Sequence, residues 1–178
     1  MKKYKIIYAD PPWRYKNKRT GGSMKSGSSQ KYSTMDFEEV KKLPVEKIAN
    51  SNSVLFLWST VPFLPKILKV MESWGYRYKT SIFWEKIGRL GMGFWFRGQV
   101  EILLVGIKGE VKPFRIQKKN ILHVKIRGHS QKPDEFYELI EMIKLKPRIE
   151  LFARNKRKGW DVWGNEVESD IKMEIVKK

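Results

Sequence analysis

The stretch KIIYADPPWRYKN, residues 5–17, organises the reading of the chain. Its first five residues, KIIYA, are apolar and rich in branched side chains, as in a buried strand. Asp10, Pro11, Pro12 and Trp13 then end that strand. Each proline fixes its own φ and confines the preceding residue to extended backbone, so Asp10 and Pro11 are both held extended. Neither proline has an N–H, so the turn presents mainly acceptors, with the flat ring of Trp13 beside them. In an open α/β sheet, ligands bind at the carboxyl ends of strands.

Two acceptors beside a ring suit a planar molecule bearing an NH₂ group. The lone pair of such an amine is delocalised into its ring, which makes it a poor nucleophile. Accepting hydrogen bonds from both N–H groups favours pyramidalisation and frees that lone pair, and a carboxylate can then take the proton. Reaching such an amine in a duplex requires flipping the base out of the stack. On these four residues alone, a rigid strand-to-loop turn with a buried Trp13, or a proline-rich ligand segment, reads equally well.

Outward from this turn, apolar runs alternate with amphipathic ones. SVLFLWS (53–59), YKTSIFWEK (78–86), EILLVGIKG (101–109), ILHVKI (121–126) and RIELFA (148–153) read as strands. MDFEEVKKL (35–43), PFLPKILKVMESWG (62–75) and KPDEFYELIEMIK (132–144) read as helices. Gly75 is a stop for the second helix, and Pro133, Asp134 and Glu135 suit the first turn of the third. The alternation predicts an α/β domain over 1–178, with a mostly parallel sheet and helices on both faces. Residues 14–35 and 87–120 are expected to be mobile or substrate-facing loops, the second interrupted by the strand at 101–109, and 169–178 a tail.

The 178 residues carry 37 Lys and Arg against 19 acids, a formal charge of +18. That imbalance points to a polyanionic partner, nucleic acid first and an acidic membrane surface second. Arg14, Lys16, Lys18, Arg19, Lys25 and Lys31 lie in a Gly/Ser-rich run without an acid. Arg97, Lys118 and Lys119 lie in the later loops, and all nine are candidates to grip phosphates. Charge runs are also commonly no more than solvated faces. Phe94, Trp95 and Phe96 suit base stacking, core packing or a dimer contact. With no cysteine and two histidines, no metal site is expected. No run has signal-peptide or transmembrane character, so a soluble, cytoplasmic protein is expected.

Read in order, ADPPW (9–13), YSTM (32–35), LFLW (55–58), GMGFWFRGQVEILLVGIKG (91–109), HSQKPDEFYELIE (129–141), IELFAR (149–154) and GWDVWGNEV (159–167) resemble the mRNA-adenosine methyltransferase catalytic-subunit (MT-A) family, in its compact bacterial and phage form. The resemblance spans roughly residues 4–168. It implies a Rossmann-like methyltransferase fold in circularly permuted order, with the catalytic motif first and the cofactor strand last. It also implies methyl transfer from S-adenosylmethionine to the exocyclic N(6) amine of adenine, with S-adenosylhomocysteine as product.

Carried over by resemblance, Asp10, Pro11, Pro12 and Trp13 match the catalytic tetrapeptide, with Asp10 and Pro11 also bordering the cofactor. Lys132 matches a lysine that holds the cofactor carboxylate; Glu150, Phe152 and Arg154 match cofactor-pocket positions; and Asn165 and Glu166 match positions near the ribose. Trp160 and Trp163 read as core. RNKRKG (154–159) replaces both a Gly-rich loop and the Pro-His-Asn run of eukaryotic members, which leaves open which side chain there meets the ribose. The intact tetrapeptide marks an active member. DNA is the expected substrate and RNA the alternative; a non-catalytic nucleic-acid-binding module, or methylation of another planar amine, is a further reading. A homodimer or a partner subunit is compatible with the sequence.

Overall fold

The computed structural model describes residues 2–13, 35–88, 91, 95–126 and 131–173. Seven strands form one sheet: β1 (Tyr4–Ala9), β2 (Ala49–Thr60), β3 (Arg77–Ile87), β4 (Val100–Lys108), β5 (Ile121–Lys125), β6 (Arg148–Leu151) and β7 (Asp161–Trp163). Their order is β5-β3-β4-β2-β1-β6-β7. All run parallel except β4, which is antiparallel to both neighbours, β2 and β3. β4 runs antiparallel to β3 and follows it as a hairpin through residues 88–99.

The strands read as continuous apolar runs because both faces of the sheet are covered. Successive residues still alternate between faces. Ile7, Ala9, Leu55 and Leu57 pack with Val40, Val45, Ile67, Val70 and Met71 of helices α1 (Phe37–Lys41), α2 (Val45–Ile48) and α3 (Leu64–Ser73). Ile6, Tyr8, Phe56 and Trp58 pack with Phe136, Tyr137 and Ile140 of α4 (Asp134–Glu141) on the opposite face.

Local sequence sets the helix ends. Asp36 caps α1 by accepting from the Glu39 N–H at 2.9 Å, and Glu39 returns a bond to the Asp36 N–H at 2.8 Å. Helix α3 ends at Gly75, whose φ of +80° glycine adopts at little cost. The Gly75 N–H then reaches the Glu72 carbonyl at 2.9 Å and the Tyr76 N–H the Met71 carbonyl at 3.1 Å, satisfying the last turn. Pro133 precedes the first turn of α4 as its N-cap, and Asp134 and Glu135 occupy that turn.

The sheet differs from the sequence reading at several places. The strand expected at 101–109 is β4, which lies between β2 and β3 and runs antiparallel to both, against the mostly parallel pattern. Helix α2 and strand β7 are too short to carry a periodic signal. The described part of the expected tail, residues 169–173, is docked: the Val162 N–H donates to Asp170 Oδ2 and the Asp170 N–H to the Val162 carbonyl, both at 2.8 Å. Ile171 and Met173 pack against the core. Among the described residues, no helix is long and apolar enough to cross a membrane.

Candidate active site

Ala9 is paired with Leu57 on one side and Leu151 on the other, so β1, β2 and β6 reach their carboxyl ends together. Asp10 and Phe152 therefore leave the sheet as neighbours. Glu101, at the start of the antiparallel β4, is paired with Thr60 and so joins the same edge. Lys132 reaches this edge from the segment leading into α4.

Lys132 is the centre of the site. Its Nζ donates to Asp10 Oδ2 at 2.8 Å, lies 3.4 Å from Glu101 Oε2, and sits 5.0 Å above the Trp58 ring. Glu101 in turn pairs with Lys86 through its other oxygen. Two carboxylates and two ammonium groups thus alternate in a largely buried row. Burial alone pulls the pKa of Lys132 down, but Asp10 and Glu101 outweigh it and the net shift is up. Burial pushes Asp10 up from 3.8, with Lys132 opposing. For Glu101, burial is outweighed by Lys132 and Lys86, and its pKa falls.

The Pro-Pro turn is rigidly held. The Trp13 N–H donates to the Pro11 carbonyl at 2.8 Å, the Met35 N–H to the Pro12 carbonyl at 2.9 Å, and Trp13 forms a bridge with Met35. Trp13 and Met35 are thus held together beside Asp10. The Trp13 ring is 6% exposed, stacks on Phe37 at 5.1 Å, and donates through Nε1 to the Trp58 carbonyl at 3.3 Å. It packs in the core cluster beside the turn, and the ring beneath the Lys132 ammonium is that of Trp58.

On the β6 side of Asp10 lies a cavity of about 590 Å³. Asp10, Lys132, Glu150, Phe152, Arg154 and Glu166 all line it, with Tyr8, Tyr137, Asp134 and residues 155–157. Tyr137 Oη donates to Glu150 Oε1 at 2.8 Å. Burial, and secondarily Asp10, push the Glu150 pKa from 4.5 to about 7 against the Tyr137 bond and Arg157. Arg154 Nε is 3.6 Å from Glu166. Arg157 pairs with Asp134 and lies 3.9 Å over the Tyr137 ring, so the segment after β6 is tied to α4 across the cavity. Phe152 has a φ of +63°, rare for a side chain of its size, which turns the chain as β6 ends.

The structure therefore gathers six sequence-derived positions around one cavity. Pro11 is buried in the turn beside it, and Asn165 is exposed next to Glu166 and is not among the lining residues. Trp160 is buried and donates from Nε1 to Glu141 at 2.6 Å, whereas half-buried Trp163 packs edge-on against Phe152 at 5.3 Å. Arg97, Lys118 and Lys119 are exposed; Arg14, Lys16, Lys18, Arg19, Lys25 and Lys31 lie outside the described residues. Glu101, Trp58, Tyr8, Tyr137 and Arg157 were not singled out from sequence. Glu101 had one signal, a lone acid opening the apolar run EILLVGIKG. The others look like ordinary core or surface residues until the fold brings them together. Among the described residues, no group of three His, Asp or Glu side chains is placed to hold a metal ion.

The sheet is mostly parallel, and charged and aromatic groups converge where its central strands end, the place where open α/β folds bind ligands. The chain belongs to the MT-A70 family, whose model matches residues 4–166. It is 35% identical to the type II methyltransferase M.MunI of Mycoplasma sp, over 98% of this chain and 82% of that protein. It is 32% identical to a putative N(6)-adenosine-methyltransferase MT-A70-like protein of Medicago truncatula, and 28% to the N(6)-adenosine-methyltransferase catalytic subunit METTL3 of Homo sapiens. Both matches cover 93% of this chain, which spans 26% and 28% of those proteins.

Proposed function

We infer that this chain transfers a methyl group from S-adenosylmethionine to the exocyclic N(6) amine of adenine in nucleic acid, DNA in the first instance. The observation that carries the reading is the meeting of Asp10 and Lys132, 2.8 Å apart, between the Pro-Pro turn and the cavity. MT-A70 membership and relatives named as N(6)-adenosine methyltransferases supply the base and the position. DNA is the polymer expected of compact members. The type II methyltransferase is matched over 82% of its own length, whereas the N(6)-adenosine methyltransferases named above are matched over about a quarter of theirs. A cytoplasmic location belongs to the same reading.

The cavity suits the cofactor. Its volume is in the range of small-molecule sites. Lys132 offers an ammonium to a carboxylate, Asp10 and Glu150 offer acceptors to an ammonium, Phe152 adds an apolar ring to the lining, and Glu166 can accept from a ribose hydroxyl. When bound, S-adenosylmethionine supplies an electrophilic methyl group.

The remaining work falls to the chain. Asp10 accepts from one N–H of the adenine amine. The Pro11 carbonyl, one lone pair of which takes the Trp13 N–H, has a second for the other. These fixed acceptors localise charge where the nitrogen needs it during attack. Burial raises the proton affinity of Asp10, so this carboxylate is suited to take the proton that the methylated amine loses. Lys132, held between Asp10 and Glu101, orients that carboxylate and supplies its countercharge. Incubating the protein and S-adenosylmethionine with mixed DNA and RNA, then analysing nucleosides by mass spectrometry, tests base, polymer and activity together. N(6)-methyldeoxyadenosine is expected, and N(6)-methyladenosine alone would transfer the reading to RNA.

A further inference from the structure

The hairpin joining β3 and β4 rises from the edge of the sheet that carries the site. Its stem is fixed by backbone pairing: the Lys86 N–H donates to the Gln99 carbonyl at 2.9 Å and the Gly91 N–H to the Gly98 carbonyl at 3.0 Å. The two backbones are so close at the second bond that a Cβ on Gly91 would lie 2.3 Å from the Gly98 oxygen. Arg97 Nε donates to the Gly91 carbonyl at 2.6 Å, bracing the far end. Beyond this brace stand Trp95 and Phe96, 94% and 90% exposed.

Two adjacent large aromatics in water, on a braced loop, are costly to leave uncovered. The core packing that the sequence allowed for Trp95 and Phe96 does not occur. Their position is informative. The stem carries Lys86 and Glu101, and Glu101 touches Lys132, which touches Asp10. Phe96 is five residues from Glu101, so its backbone lies within about 18 Å of the Glu101 backbone. The tip is therefore on the rim of the site, a few nucleotide spacings from where a target base would sit.

We propose that Trp95 and Phe96 form a stacking platform for nucleobases flanking the target adenine. The proposal rests on the nucleic-acid reading above. Three features favour nucleic acid over a protein partner. The exposed side chains are flat rings, which stack on any base. Exposed Arg97 follows them and adds a positive charge beside the rings while bracing the loop. The chain carries +18, so a polyanion is attracted to this rim and a second copy is repelled. The platform would hold the neighbours of the target base while that base is out of the stack, a role sequence-tolerant by nature.

The test compares wild type with two double variants. W95L/F96L keeps apolar bulk but removes the rings; W95Y/F96Y keeps flat rings. Each is titrated with a fluorescently labelled adenine-containing oligonucleotide, and with S-adenosylhomocysteine by calorimetry as a check on the fold. The expected result is oligonucleotide affinity about tenfold or more weaker for W95L/F96L, within about threefold of wild type for W95Y/F96Y, and unchanged S-adenosylhomocysteine binding in both. Wild-type oligonucleotide affinity in W95L/F96L overturns the platform, as does an effect confined to a dimer-to-monomer shift in sedimentation. If wild type methylates the oligonucleotide and W95L/F96L binds it equally well, only the platform falls. If wild type neither binds nor methylates any nucleic acid, the functional reading falls with it.

Discussion

Lys132 lies between two carboxylates contributed by strands that run in opposite directions: 2.8 Å from Asp10 at the end of β1 and 3.4 Å from Glu101 at the start of β4. The antiparallel β4 makes this possible, because a parallel strand there would bring its other end to the same edge. One ammonium thus couples the turn that would handle the base to the cavity that would hold the cofactor.

Removing that ammonium should cost stability as well as activity. In Lys132→Met, Asp10 and Glu101 lose their shared countercharge in a mostly buried site, an effect of about 2–4 kcal/mol. Urea denaturation at neutral pH measures it. Adding Asp10→Asn to this variant should recover part of the loss, because Glu101 keeps Lys86 and Asp10 is the carboxylate left without its ion-pair partner; an additive further loss would contradict the coupling.

Glu150 makes stability depend on pH in a defined direction. Its folded pKa, about 7, exceeds its ordinary 4.5, so between these values the folded state binds more protons than the unfolded state. The contribution is fully present below pH 4.5 and is lost as pH rises through 7, up to about 3 kcal/mol in all. Glu150→Gln should flatten this part of a Tm-against-pH profile. A wild-type profile in which Glu150 contributes an increase over that window would reverse the sign.

Much of this was legible in the sequence, for physical reasons. Apolar runs such as SVLFLWS announce strands because both sheet faces are covered, and the Gly75 stop is readable because its φ of +80° favours glycine. ADPPW marks the site because two prolines restrict it locally. Strand direction was not legible: nothing in EILLVGIKG distinguishes an antiparallel β4 from a parallel one. The partners of Lys132 were hidden for the same reason, since Glu101 reaches it only through that reversal. For Trp13 the sequence left an open ring and a buried one equally possible; its burial against Phe37 depends on where α1 packs, a tertiary fact.

Binding to nucleic acid should depend steeply on salt, because each phosphate neutralised releases condensed counterions. Replacing the exposed Lys118 and Lys119 together with alanine should weaken binding about equally across sequences and reduce the salt slope by about 2. Affinity measured from low to moderate ionic strength provides the check. A flat wild-type response would argue against phosphate contacts.

Gly75→Ala isolates a purely structural element. The left-handed backbone that closes α3 disfavours a side chain, so a loss of about 1 kcal/mol is expected in thermal or urea unfolding, with methyl transfer at a permissive temperature unchanged.

The central claim is that Asp10 carries the chemistry on the adenine amine. The most direct measurement is nucleoside mass spectrometry of DNA incubated with S-adenosylmethionine and either wild type or Asp10→Ala. Wild type should produce N(6)-methyldeoxyadenosine, and Asp10→Ala should fall by at least about a hundredfold while still unfolding cooperatively. Undiminished methylation by folded Asp10→Ala, or a product methylated on cytosine instead, would contradict the account.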